Sequence, residues 1–437
     1  MSAATMERTR RGGARRRGDR AVQVLMFGWE FPPHQAGGLA TATLGLVKGL
    51  LRTGVQVTLV VPFPIDDGVL PALRLVSTAG FPSVMREVRV PSPLTAYGGV
   101  AEYAAARAAV ARRLPGTRGA TPYGVNLFDE IERFATVAAE IARTEPHDVI
   151  DCHDWITYAA AQRARQVSGR PLVAHIHATE HDRSGAGENP EIRRRERDGL
   201  LTAAHVICNS QRMRRQVVEN YGVDPVRLHV VPWGLDEADA DPDPAEPRPF
   251  PDDEPVVLFL GRVTRQKGPD HFIEMARRVA DVVPRVRFVV VGTGDMLPRI
   301  IERAVQLDLA ERVHFTGGLS GPDVDRAFRL ATVCVMPSVS EPFGLVALES
   351  LRNGTPVILA RDAGVAEVVR NAYRADFLDS ERMADQVVGI IRYRELHREL
   401  RARGLKEVTH PRFGLDEPAR RTTAVYRQAL AGAARSE

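Results

Sequence analysis

Two doubly wound α/β units facing a central cleft are the fold class this chain predicts, and three observations predict it. Short, near-continuous apolar runs recur from Val22 to Leu359, helical periodicities lie between them, and one acidic, proline-rich segment divides the series in two. The length of 437 residues accommodates about three domains of ~150 residues or two larger α/β ones. With 44% apolar and 26% charged residues the chain is globular, which excludes collagen-like, coiled-coil and wholly disordered classes.

Residues 1–20 hold seven Arg against Glu7 and Asp19, so the formal net charge of +4 resides in this tail and the rest is close to neutral. A disordered Arg-rich tail is expected there. A nucleic-acid-binding body is not, because no basic stripe with interleaved aromatics follows. Val22 to Phe27 then reads as a buried strand, followed by a loop through Gly37 and Gly38 and a helix from about Leu39 to Leu51. Val57 to Val61, Val149 to Ile150, Leu172 to Ile176, Val206 to Cys208 and Leu228 to Val231 continue the strand series, giving a Rossmann-like domain over 21–235. Residues 236–255 are too rich in Asp, Glu and Pro for sheet or helix and are expected to be the linker.

The pattern resumes over 256–410 with Val256 to Leu260, Val286 to Val291, Val313 to Phe315, Val333 to Met336 and Val357 to Leu359. Pro269 after Gly268 suits the first position of a helix, along which Phe272, Ile273, Met275, Ala276, Val279 and Ala280 keep the helical period. Cys152, Cys208 and Cys334 are far apart inside apolar runs, so neither a disulfide framework nor a CxxC metal site is available and a reducing, cytoplasmic setting is expected. No apolar run reaches the ~18–20 residues that span a bilayer, and no membrane association is expected.

Doubly wound sheets bind ligands beyond the carboxyl ends of their strands, and four clusters fall there. Gly37 and Gly38 open the first helix, where free N–H groups suit an anion; a tight strand-to-helix turn accounts for them equally well, and the full G-x-G-x-x-G dinucleotide pattern is absent. Arg262 and Lys267 are two cations on the loop 261–268, able to neutralise a diphosphate leaving group. Lys267 is one of only three lysines, with Lys48 and Lys406, in a chain of 56 arginines whose composition fits a high-GC genome. The string from Ser338 to Glu349 places Glu341 before a helix running from Gly344 to about Asn353 and Glu349 about one and a half turns into it. The two carboxylates can accept hydrogen bonds from two sugars, and the amides of Phe343, Gly344 and Leu345 can meet phosphate. The fourth cluster is His153 with Asp154, and His175 with His177, after two strands of the first half. No metal-ligand spacing appears among them, so positioning a sugar is the reading taken, with no metal.

The Gly37-Gly38-Leu39 loop, His177, the Arg262 and Lys267 pair and the Glu341 to Glu349 string, in this order and spacing, resemble retaining glycosyltransferases of the GT-B fold, family 4, and their glycogen and starch synthase relatives. The resemblance covers about residues 22–430. It implies that Glu349 holds the nucleotide ribose, Arg262 and Lys267 the donor diphosphate, and Glu341 with the amides of Gly344 and Leu345 the donor sugar. It further implies that Gly38 contributes backbone donors to the phosphate, that His177 bonds the donor sugar near its reacting carbon, and that Asp154 lies near the acceptor. A helix within 411–437, from about Leu415 to Leu430, would cross back to the first domain. No metal or other cofactor is implied; the co-substrate is a nucleoside-diphosphate sugar. The ADP-glucose-dependent bacterial synthases carry Lys-x-Gly-Gly-Leu-Ala-Asp where this chain has Gln35-Ala36-Gly37-Gly38-Leu39-Ala40-Thr41, and Glu-Pro-Cys-Gly where it has Glu341-Pro342-Phe343-Gly344. Glucan growth from ADP-glucose is therefore not implied.

The expected reaction is transfer of a hexosyl group from a nucleoside-diphosphate sugar to a glucan, oligosaccharide or small-molecule acceptor. The alternatives are a secondary-metabolite enzyme of actinomycetes that joins a nucleotide-linked cyclitol to an amino sugar through a C–N bond, a nucleotide-sugar epimerase, and a non-catalytic carbohydrate-binding paralogue. Loops such as 64–122 and 181–190 are expected to select the base, sugar and acceptor.

Overall fold

Leu25 and Phe27 on one side of the first strand and Val24 and Met26 on the other are all buried, as a strand covered on both faces requires. The computed structural model describes residues 21–31, 38–62, 72–78, 127–236, 249–251 and 253–435. Its first half runs β1 (Gln23–Phe27), α1 (Gly38–Arg52), β2 (Gln56–Val61), β3 (Arg74–Ser77), α2 (Leu127–Thr144), β4 (Val149–His153), α3 (Trp155–Ser168), β5 (Leu172–Ile176), α4 (Glu180–Ser184), α5 (Pro190–Thr202), β6 (His205–Cys208), α6 (Gln211–Tyr221) and β7 (Leu228–Val230). These strands form one sheet in the order β3-β2-β1-β4-β5-β6-β7, with every pair parallel. The order reverses between β1 and β4, the point at which a doubly wound sheet opens a crevice.

The second half runs β8 (Val256–Leu260), α7 (Pro269–Val282), β9 (Arg287–Val291), α8 (Leu297–Gln306), β10 (Val313–Gly317), α9 (Pro322–Leu330), β11 (Val333–Met336), α10 (Leu345–Arg352), β12 (Val357–Ala360), β13 (Tyr373–Ala375), α11 (Ser380–Arg392), α12 (Arg394–Val408) and α13 (Asp416–Ala433). Its parallel sheet has the order β10-β9-β8-β11-β12-β13, so β8 and β11 are neighbours and their two following loops lie side by side. Pro269 stands at the start of α7 as its fixed φ favours. The last helix, α13, returns to the first sheet: Ala419, Val425, Tyr426 and Ala429 bury themselves with residues of β1, β2 and α1.

Two short edge strands, β3 and β13, lie beyond those read from the sequence. At four and three residues, partly exposed, they carry too little apolar patterning to stand out. β4 runs three residues past its apolar pair, through Asp151, Cys152 and His153, because its sheet neighbours and α13 cover these side chains. The tail 1–20, Gly37, residues 237–248 and 252 of the linker, and most of the loop 64–122 lie outside the described residues. Among the described residues, no helix is long and apolar enough to cross a membrane.

Candidate functional site

The loops after β8 and β11 meet through a glycine. Gly268 has φ +67°, and a Cβ there would overlap the carbonyl oxygen of Pro337, so only glycine fits both the left-handed backbone and the close approach. The approach sets Lys267 against Glu341: its Nζ donates to Oε1 at 2.9 Å and to Oε2 at 2.7 Å. Ser338 Oγ adds a third hydrogen bond to Oε2 at 3.0 Å. Glu341 is only 4% exposed, so this cluster is a partly desolvated charge pair at the edge of the cleft. Arg262 stays on the Lys267 loop, its Nη2 donating to Gln266 Oε1 at 3.0 Å. Lys267 and Glu341, expected to serve diphosphate and sugar separately, are thus joined in one ion pair.

Gly344, with φ +109°, ends the β11 loop, and a Cβ there would crowd Glu341, Met336 and Val365 at 3.1–3.3 Å. The helix α10 that follows has no side-chain cap, which leaves backbone N–H groups at its start for an anion. Phe343 and Leu345 turn their side chains inward. The Phe343 ring packs edge-on against Trp233 at 5.3 Å, which anchors the backbone that would face a phosphate. Glu349 is half-buried on α10. Among the described residues nothing donates to its carboxyl, which burial pushes up against the opposing pull of Arg352. Gly38, the first residue of α1, is exposed, and a Cβ there would meet nothing within 4 Å among the described residues.

Parallel register builds the opposite wall. His153 of β4 pairs with His175 of β5, and His177 follows two residues on, so three imidazoles gather at the carboxyl ends of the two strands. His153 and His175 have ring centroids 4.5 Å apart, and His177 lies 5.2 Å from the ring of Trp233. His153 Nδ1 and His177 Nε2 are 2.8 Å apart in rings inclined by 11°. The three histidines offer nitrogens within 4.8 Å of one another. Two of those nitrogens nevertheless point at each other at hydrogen-bond distance, the arrangement of a shared proton rather than of lone pairs converging on an ion. Burial holds His153 and His177 well below the ordinary histidine range, so both are neutral at physiological pH.

Asp154 is the one residue here with a strained backbone. Its φ of +61° and ψ of +167° belong to a region that side chains other than glycine's rarely adopt. Its Oδ1 accepts the backbone N–H of His177 at 2.7 Å, so it fixes the strand end carrying that histidine. Burial pushes its carboxyl up to about 7, with Arg183 opposing. His153 and Asp154 are both almost fully buried, and their connection to the cleft runs through His177.

Further contacts bridge the two halves and carry residues the sequence did not single out. Asp182 on α4 accepts Ser340 Oγ at 2.6 Å and Arg212 Nη1 at 3.0 Å, while Arg212 Nη2 donates to Ser340 at 2.8 Å. Burial acts to raise the Asp182 carboxyl, but Arg212, Ser340 and Thr179 together hold it below the ordinary range. Glu367 accepts the backbone N–H groups of Gln211 and Arg212 at 2.6 and 2.7 Å, capping α6 from the other domain. Ser210 Oγ donates to Pro342 O at 2.8 Å. Arg212 is one arginine among 56 in sequence, and only the fold distinguishes it.

The family described as Glycosyltransferase Family 4 matches residues 36–239, and that described as Glycosyl transferases group 1 matches residues 243–407. An uncharacterized glycosyltransferase of Methanocaldococcus jannaschii is 26% identical over 422 residues, covering 94% of this chain and 99% of the relative. A D-inositol 3-phosphate glycosyltransferase of Acidothermus cellulolyticus is 35% identical over 320 residues, covering 68% of this chain and 71% of its own length. Among solved structures, a sucrose-phosphate synthase of Thermosynechococcus elongatus superposes with a TM-score of 0.72 at 22% identity, over 94% of this chain and all of the other. Anabaena HepE, solved with UDP and glucose, superposes with a TM-score of 0.65 at 16% identity, over 93% of this chain and all of its own.

Proposed function

The chain belongs to the family 4 type of glycosyltransferases with the GT-B fold, and on that premise we propose that it moves a hexosyl group from a nucleoside-diphosphate sugar to a small polyol or carbohydrate acceptor, with retention of configuration and without a metal ion. The observation that carries this reading is the Lys267–Glu341 pair, set beside the uncapped start of α10. In it, Lys267, Arg262 and the α10 amides take up the charge that develops on the departing diphosphate, work that an ion would otherwise do. Glu341, while still paired with Lys267, accepts from hydroxyls of the transferred sugar through its remaining lone pairs, and Glu349 accepts from the ribose. His177 meets the sugar from the other wall. The acceptor class is supported by the relatives 30–35% identical to this chain, which are named for D-inositol 3-phosphate.

Product analysis tests the reading. The full chain, incubated with nucleoside-diphosphate α-hexoses and a panel of inositols, inositol phosphates and oligosaccharides, is expected to give an α-linked product and free nucleoside diphosphate, identified by the anomeric coupling in proton NMR. A β-linked product, or isomerised donor with no transfer, contradicts it.

A further inference from the structure

Glu341 stands between two residues that the first domain holds. Ser340, just before it, donates its hydroxyl to Asp182 Oδ1 of α4 at 2.6 Å and accepts from Arg212 Nη2 of α6 at 2.8 Å. Arg212 closes the triangle, its Nη1 donating to the same Asp182 oxygen at 3.0 Å. Pro342, just after Glu341, offers its carbonyl to the hydroxyl of Ser210 at 2.8 Å. The second domain supplies two further ties: the Ser340 N–H donates to the Gln266 carbonyl at 3.2 Å, and the Glu341 carbonyl accepts from the Gly364 N–H at 2.9 Å.

The anchor in the first domain is itself tightly held. Asp182 is 2% exposed, and its other oxygen accepts the N–H and the hydroxyl of Thr179 at 2.9 and 2.8 Å, so α4 carries the carboxylate in one orientation. Gln216 donates to the same Thr179 hydroxyl at 2.8 Å, which ties the start of α4 to the helix that bears Arg212. Burial works against ionisation of Asp182, and Arg212, with Ser340 and Thr179, outweighs it. A carboxylate that already accepts from Ser340, Arg212 and twice from Thr179 has its lone pairs filled and none left for a substrate. Whatever Asp182 does for the reaction it does through Ser340, one residue from Glu341.

We infer that Asp182 and Arg212 are positioning residues that reach across from the first domain, hold Ser340, and so set the Glu341 carboxylate for the hydroxyls of the transferred sugar. That role rests on the part given to Glu341 under Proposed function. The sugar half of the donor site is then assembled only where the two domains meet, whereas the diphosphate half on Lys267, Arg262 and the start of α10 is carried by the second domain.

Binding separates the two halves without turnover. ADP, UDP, GDP and dTDP are titrated into the full-length protein by calorimetry, each free and as its hexose esters. Glu341→Gln is expected to bind the ester that the parent prefers roughly 10-fold more weakly, the worth of a charge-assisted hydrogen bond, without weakening the free diphosphate. Ser340→Ala is expected to do the same and, in turnover, to lose kcat on the order of 10- to 100-fold, as a small displacement of a group that touches substrate does. The double variant should bind the ester no more weakly than Glu341→Gln alone, because nothing is left to position. Asp182→Asn should act in the same direction as Ser340→Ala. Should it fail to fold, Ser340→Ala decides alone, since it removes one hydroxyl and leaves Asp182 paired with Arg212 and Thr179. A contact that only joins the domains would weaken free and esterified nucleotide alike, and its loss would add to that of Glu341→Gln. Either result, or a parent-like ester affinity in Ser340→Ala, overturns the proposal. An ester that Glu341→Gln binds as tightly as the parent, or a parent that binds no nucleotide, overturns the donor-site reading itself, and the positioning role falls with it.

Discussion

Lys267→Ala is expected to lower kcat by roughly 10²- to 10³-fold, the loss seen when one preorganised donor to a developing negative charge is removed. In the proposed function the cation faces the leaving group; it has three N–H donors, two of them on Glu341. The third is available to a diphosphate without breaking the pair. A structural role alone predicts something different. Removing Lys267 leaves Glu341 buried with Ser338 as its remaining side-chain partner, which costs about 1–2 kcal/mol once the partial exposure of the lysine is allowed for. Steady-state kinetics beside urea unfolding separates the two: a kcat loss far larger than any change in the folded fraction is the expected result. A variant that melts earlier but turns over normally once folded would remove Lys267 from the chemistry. Adding Glu341→Gln to Lys267→Ala should restore much of the stability and little of the activity, because it removes the unpaired charge without replacing the cation.

Asp154→Asn is expected to change the pH dependence of stability more than any other single substitution. The Asp154 carboxyl titrates at about 7 in the fold and near 3.9 in an unfolded chain. The folded state therefore holds the proton more tightly. The stabilisation this gives is fully present below pH ~4 and is lost as pH rises from ~4 to ~7, amounting to about 4 kcal/mol for a three-unit difference. Asparagine has no charge to desolvate, keeps an oxygen for the His177 N–H and tolerates positive φ better than most side chains. Urea unfolding at pH 4.5, 6 and 8 should show the variant gaining on the parent at each step. A stability difference that stays constant across that range would mean that the carboxyl does not titrate there.

The parallel sheets were legible because buried strands write themselves as unbroken apolar runs. Leu172–Ile176, Val256–Leu260 and Val333–Met336 begin and end where those runs do. β4 was legible only in its first two residues, since Asp151 and His153 are polar and become interior only through partners on β5 and α13. The loop cations and the Glu341 to Glu349 string were visible because they follow strands directly. Their pairing was not, because Lys267 and Glu341 are 74 residues apart and meet only through the β8–β11 adjacency and the glycine contact at Pro337. Asp182, Arg212 and Glu367 carry no local signature: an arginine in an arginine-rich chain, a capping aspartate and a turn glutamate acquire meaning from contacts spanning 30 to 156 residues. Tyr426 lies on a helix whose amphipathic pattern announces burial, but not that its hydroxyl meets a carboxylate.

The measurement that bears most directly on the donor site is a thermal-shift titration of the full chain with ADP-, UDP-, GDP- and dTDP-hexoses, repeated with Glu349→Gln. One nucleotide should stabilise the parent, by about 2.7 kcal/mol when present at ~100 times its Kd. The variant should need at least ~10-fold more of it, because a charge-assisted hydrogen bond to the ribose is worth roughly 1.5–3 kcal/mol. A parent that no nucleotide sugar stabilises, or a variant that responds as the parent does, would contradict the assignment of this cleft to a nucleoside-diphosphate sugar.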